Sequence, residues 1–231
     1  MVYKIIQTKW GIFLEAIAIT VIIFILGLFI GYMIESGRVT SVANDYKNYE
    51  ISTLNLKLQD YYYQTMDSSA CSIAIKQNLE FADNLYNEGL QIEKYEQANQ
   101  LTSDLLIEKK RYVLLKTELW FNSILLKKKC NNPFDTIAYI YAGDPSDSSV
   151  VAQQKVLSNV LKTVKDQYGN SVILLPIAGD LNLTAVTLQM ELYNITNLPV
   201  IIINENTTLY GYHSATNVES YLGKLPRNET G

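Results

Sequence analysis

The run "AIAITVIIFILGLFIGYMI", Ala16 to Ile34, constrains this chain more than any other stretch. It has 19 residues and no charge, close to the ~20 apolar residues that cross a ~30 Å hydrocarbon core. It reads as a transmembrane helix in contact with membrane lipid. A cleaved signal peptide is the competing reading, but its apolar region would be nearer ~7–15 residues and would lead to a small-residue cleavage site. Lys4 and Lys9 precede the run and Glu35 follows it, so the positive-inside bias predicts a cytoplasmic N-terminus and everything after Glu35 outside. Arg38 and Lys47, just beyond, weaken that bias. Glu15 falls at interface depth, where a carboxylate reaches headgroups, and does not read as an intramembrane functional acid. Gly27 and Gly31 form a GxxxG that would let two copies pair, although glycine is also simply common in membrane helices.

Charge then excludes one class of partner. Residues 38–130 carry 12 Lys+Arg against 12 Asp+Glu, and residues 131–231 carry 5 against 9, so the net charge of −4 sits in the C-terminal part. A mildly acidic domain repels nucleic acid, whose binding depends on neutralising phosphates.

From the anchor to Pro133 there is no proline, and the stretch reads as helical almost throughout. Ile51, Leu54, Leu58, Tyr61 and Tyr62 follow the 3-4 spacing of one helix face, while Val42, Tyr49, Leu56 and Tyr63 recur every seven residues on a nearly opposite face. A helix apolar on two sides needs two partners. One is the helical hairpin that follows; the other is either the same helix in a second copy, giving a homodimer through a coiled coil, or nothing, in a monomeric three-helix bundle. "MDSSACSI" breaks the pattern with Asp67 to Ser69 as caps, and "YEQANQLTSD" breaks it again with Thr102 to Asp104.

Cys71 and Cys130 are equidistant from that second break, near Gln100 and Leu101. In an antiparallel hairpin with similar arms they meet at the open end, ~45 Å from the turn. A disulfide between them would close a loop of about sixty residues and contribute ~4 kcal/mol in the chain-entropy model. It would also require an oxidising compartment. Two free thiols and a reversible redox pair are the alternatives. With one histidine in the chain, these cysteines do not make a zinc site of the usual kind.

The last hundred residues change character. "FDTIAYIYAG" reads as a strand, Ser148 opens a helix, and "YGNSVILLPIAG", "LTAVTLQMELYNI", "LPVIIINENTTLYGYH" and "NVESYLGKL" continue the order to β-α-β-α-β-β-α. Continuous apolar strands with helices between them imply a sheet covered on both faces, its first strands parallel and a hairpin at one edge. The expected class is α+β overall. Residues 1–35 form a cytoplasmic tip and anchor, 36–66 a helical stalk, 67–130 a disulfide-closed hairpin and 131–231 an α/β domain.

Over residues 133–225 this order resembles the thioredoxin fold. "NITNLPVIIIN" looks like the loop and strand that hold the family's cis-proline, at Leu198 and Pro199, and Gly211 with "GYHSATNVESYL" resembles the strand end and terminal helix after it. With the anchor and the cysteine-flanked helices, the arrangement looks like the membrane-anchored thioredoxin-like proteins of archaea. The resemblance implies a Cys-x-x-Cys at the first strand-to-helix turn, its first thiol acidified by the helix N-terminus. This chain has "GDPSDSS" there, so Pro145 and Ser148, or Ser146 and Ser149, stand where the thiols would be.

Serine without a nearby base is a poor nucleophile, so no catalytic residue, cofactor site or metal site is expected. Ser146, Ser148 and Ser149 would suit an anion at the helix start; the simpler reading is an N-cap in which Asp147 complements the macrodipole. His213 reads as an exposed residue without a partner motif. Asn182, Asn194, Asn206 and Asn228 each begin an N-x-[ST] triplet, permissive for glycosylation outside the cytoplasm. The expected function is a membrane-anchored, redox-inactive thioredoxin-like module that binds or scaffolds a protein or peptide partner. A thiol-disulfide oxidoreductase using Cys71 and Cys130 or a partner's thiols is the enzyme alternative, and a structural component of a surface assembly is the third.

Overall fold

The computed structural model describes residues 9–97 and 103–223. The chain divides into two units, Met1–Leu58 and Gln59–Gly231. The first is helical: α1 spans Lys9–Thr65, and within it Phe13–Tyr32 is long and apolar enough to cross a membrane. α1 runs on past residue 35, from the apolar stretch into the stalk. On α1, Leu56 and Tyr63 are buried, whereas Ile51, Leu54, Leu58 and Tyr61 are exposed.

In the second unit a short 3₁₀ turn at Ser68–Ala70 leads into α2, Cys71–Gln97, and then α3, Ser103–Lys129. Asp67 makes no side-chain cap on that turn. The two arms are 27 residues each, with Cys71 opening one and Cys130 following the other. Equal arms return the chain to its starting level, and the two cysteines are joined in a disulfide with Cα atoms 5.6 Å apart. The turn between the arms, with Gln100 and Leu101, lies outside the described residues. Inside the hairpin Asn78 donates to Ser123 Oγ at 3.1 Å. A Cβ on Gly89 would collide with the Tyr112 phenol, so glycine is what lets α2 and α3 approach there.

Four strands make one mixed sheet: β1 Asp135–Tyr141, β2 Val172–Ala178, β3 Val200–Ile203 and β4 Thr207–Tyr210, in the order β2-β1-β3-β4. β1 and β2 are parallel, from Asp135 opposite Val172 to Tyr141 opposite Ala178. β3 is antiparallel to β1 and pairs with β4 in a hairpin. Pro176 is tolerated within β2 because that strand lies at an edge. The connecting helices are α4, Ser148–Tyr168, α5, Thr184–Leu192, and the short α6, Ala215–Glu219.

Alternation along the strands divides the core. Ile137, Tyr139, Ile201, Ile203 and Leu209 pack with Leu157, Leu161 and Val164 of α4 and Val218 of α6. The other face is covered by α5 and by α3, which packs on β2, β1 and α5. The hairpin and the sheet therefore lie within one unit, with α3 packed on β1 and β2.

Three lysines of α3 are buried, Lys109, Lys116 and Lys127. Each directs its ammonium to an acceptor at the sheet's margins. Lys116 donates to Pro176 O at 2.9 Å and lies over the Tyr112 ring. Lys127 donates to Thr136 Oγ1, Asn204 Oδ1 and Glu205 Oε2 at 3.0, 2.7 and 2.8 Å. Asn204 and Glu205 have φ of 50° and 60°, and Asn206 N donates to Ile203 O at 3.2 Å, a turn of the primed kind that matches strand twist. Glutamate is uncommon in that left-handed region; here its carboxylate also accepts from Trp120 Nε1 at 3.0 Å, and Trp120 stacks on Tyr193.

Candidate functional site

At the opposite end of the sheet, β1 delivers the chain into the turn from Ala142 to Asp147 before α4. In open α/β sheets the carboxyl ends of the parallel strands are where ligands bind. The residues there are Gly143, Asp144, Pro145, Ser146 and Asp147, followed by Ser148 and Ser149 in α4. No thiol or histidine is among them.

The backbone of this turn is clamped by side chains from three other elements. Gln154 of α4 accepts from Ala142 N at 2.8 Å and donates to Ala142 O at 3.0 Å. Asp180, after β2, accepts from Gly143 N at 2.7 Å and from Asp144 N at 3.2 Å, one amide per carboxylate oxygen. Lys109 of α3 donates to Gly143 O at 3.1 Å. A Cβ on Gly143 would lie 2.9 Å from Asp180 Oδ1 and 3.3 Å from Lys109 Nζ, so a side chain there would displace the clamp. Successive amides that converge on a carboxylate form the kind of concavity that elsewhere holds a free anion; here the chain supplies its own.

The helix start is closed in the same way. Asp147 is the N-cap of α4, and its side chain accepts from Ser149 N at 2.8 Å. The Ser149 amide, then the Ser149 hydroxyl, hold the Asp147 carboxyl below the usual carboxylate range. Ser146, Ser148 and Ser149 are exposed and Pro145 is half-buried.

Strand register brings two further segments to this end. Ile140 pairs with Val200, and Val200 with Tyr210, so Pro199 and the residues after Tyr210 lie beside the turn. The Leu198–Pro199 bond is cis. Pro199 itself is buried and Leu198 half-buried, while Thr196 and Asn197 are exposed. Leu198 packs over the backbone of Gly179, where a Cβ would come within 3.0 Å of Leu198 Cδ1 and 2.9 Å of Ile140 Cγ2.

On the other side of β3, Tyr210 and Tyr212 are exposed. Gly211 between them has φ of 83°, a left-handed position that glycine accepts. His213 is half-buried, not exposed as the sequence reading had it. Its ring nitrogens lie 2.6 Å from Asn217 Oδ1 and 3.0 Å from Tyr210 O, which fixes the entry to α6.

The remaining sequence candidates are dispersed. Cys71 and Cys130 are half-buried at the open end of the hairpin. Asn182, Asn194 and Asn206 are exposed, and Asn228 lies outside the described residues. Gly27 and Gly31 have nothing within 4 Å of a Cβ placed on them. Among the described residues no group of three or more His, Cys, Asp or Glu side chains could hold a metal ion.

Gln154, Asp180 and Lys109 were missed by the sequence reading. One signal was present for Asp180: the triplet Ala-Gly-Asp ends both parallel strands, at Ala142–Asp144 and at Ala178–Asp180, and the second copy closes on the first.

No protein-family model and no curated protein matches this chain. A solved structure described as "Structure of a malarial protein" matches over 38% of this chain and 92% of its own, with 18% sequence identity and a TM-score of 0.28. That likeness is too slight to carry an argument about fold or function.

Proposed function

We infer that this is a single-pass membrane protein, N-terminus in the cytoplasm, that holds a redox-inactive thioredoxin-like binding module on the outer side. The N-terminal apolar helix and the disulfide favour a chain of the secretory pathway. The β-α-β-α-β-β-α order, a sheet with its first two strands parallel and a hairpin at one edge, and helices on both faces support a thioredoxin-like fold.

The observation that carries the functional reading is the clamped turn. The places of the two thiols are held by Pro145 and Ser148, or Ser146 and Ser149, and the amides of Gly143, Asp144 and Ser149 are already bonded to Asp180 and Asp147. What is left for a partner is the surface beside it, where Thr196 and Asn197 lead into Pro199 and where Tyr210 and Tyr212 stand exposed. An extended peptide would bind there through backbone hydrogen bonds, with the tyrosines as apolar contacts.

The test is site-specific photocrosslinking of the full-length protein in its own membrane. A crosslinker at Asn197 or Tyr212 should trap a partner that one at Lys162 or Thr163, exposed on α4, does not. Partner yield equal at all four positions, or unchanged by Pro199→Ala and Tyr212→Ala, would show that this surface is not the binding site.

A further inference from the structure

The apolar face that α1 leaves uncovered is regular. Ile51, Leu54, Leu58 and Tyr61 are 65%, 58%, 60% and 66% exposed, and their spacing of three, four and three places them within one narrow stripe of the helix. Leu56 and Tyr63, on the opposite side, are buried at 4% and 1%. The stripe is the a/d seam of a heptad, with Ile51 and Leu58 at a and Leu54 and Tyr61 at d.

Lipid does not cover it. Ile51 lies nineteen positions along α1 beyond Tyr32, the end of the apolar stretch, about 28 Å along a helix, whereas the headgroup layer adds only ~5–8 Å on each side of the hydrocarbon core. The residues themselves indicate what does. In the first heptad Ile51 at a with Leu54 at d is the pairing that favours two parallel strands, Leu58 and Tyr61 continue the apolar seam, and two copies anchored through the same helix in one bilayer are parallel and in register from the start. The flanking positions agree: in such a pair Glu50 of one copy faces Asn55 of the other and Lys57 faces Tyr62, so no like charges meet.

We propose that the seam from Ile51 to Tyr61 joins two copies of this chain in a parallel coiled-coil dimer. It rests on α1 alone and stands or falls independently of the peptide-binding reading. The seam also excludes one extension. At about 100° per residue, Gly27 and Gly31 fall on the side of α1 roughly opposite it, so the dimer is made above the membrane and not through that glycine pair.

The experiment uses the full chain in detergent micelles and in nanodiscs. Both native cysteines are in the disulfide, so Leu54→Cys, Leu58→Cys or Thr53→Cys introduces the one free thiol. Mild oxidation should yield a product of twice the 26.2 kDa chain mass from Leu54→Cys and Leu58→Cys and little from Thr53→Cys, which lies off the seam. By light scattering, the dimer fraction should fall by more than about tenfold on Leu54→Asp with Leu58→Asp, since four buried leucines are lost per pair. It should persist on Gly27→Ile with Gly31→Ile. A monomer in the unsubstituted chain, crosslinking as strong at Thr53→Cys as at Leu54→Cys, or a dimer broken by the glycine substitutions and spared by the aspartates would each overturn the proposal.

Discussion

The two ends of the sheet are closed by the same kinds of groups in opposite settings. At the hairpin end buried Lys127 and half-buried Glu205 form an ion pair whose carboxylate also accepts from Trp120 Nε1 and which is tied to Thr136 and Asn204. At the other end the Asp180 carboxylate holds the Gly143 and Asp144 amides near the surface. Buried charge must be paired or the fold suffers, whereas a surface carboxylate on an amide is screened and weak. The first arrangement therefore fixes structure, and the second fixes the shape of a surface and occupies donors that a ligand would otherwise use.

The largest expected effect is at the buried end. Glu205→Ala strands the Lys127 ammonium and should lower unfolding free energy by about 3–5 kcal/mol in denaturant titrations of the full chain. Lys127→Met with Glu205→Leu should recover much of that, because the stranded charge rather than the lost attraction dominates. Asp180→Ala should cost about 1 kcal/mol after allowance for exposure, yet accelerate hydrogen exchange at Gly143 and Asp144 while leaving Ile137 to Ile140 protected. Equal losses from Glu205→Ala and Asp180→Ala would erase the contrast.

pH sharpens it further. Burial pushes the Tyr139 phenol on β1 up to about 12, and burial with the neighbouring Tyr62 does the same to Tyr63. Between pH 10 and 12 the folded chain holds protons that the unfolded chain has lost, so stability should fall as pH rises through that window. An ultraviolet titration should show these two phenols ionising last. The smallest effect is that of Asp147, whose folded value is depressed by Ser149. Its contribution is present above the ordinary aspartate value near 4 and is lost as pH falls below it, so Asp147→Ala should lower stability slightly at neutral pH, flatten the acid limb of the stability profile and change little at the acid end.

What could be read from the residues in order was read where the signal is local or arithmetic. The uncharged run from Ala16 to Ile34, the apolar strands and the equal distances of Cys71 and Cys130 from one break are such signals, and the helix, the sheet and the disulfide followed. The second task of α3 was not legible. Lys109, Lys116 and Lys127 are charged residues on a helix, and only tertiary packing shows that they are buried with their ammoniums reaching carbonyls and Glu205. Glu205 was hidden for a related reason, since asparagine or glycine is the usual signal for its backbone conformation. The Lys109 and Asp180 contacts of the clamp join residues 34 to 37 positions apart, a separation at which no periodicity speaks.

We propose that the turn before α4 takes a thioredoxin-like position without the thiol chemistry. The most direct measurement is thiol-disulfide exchange by the full-length chain, alongside the Ser146→Cys, Ser149→Cys double variant. The native chain should be inert, and the double variant should form a second disulfide and exchange it with a small-molecule dithiol. Turnover by the native chain that is abolished by Cys130→Ser would contradict it and move the activity to the hairpin disulfide.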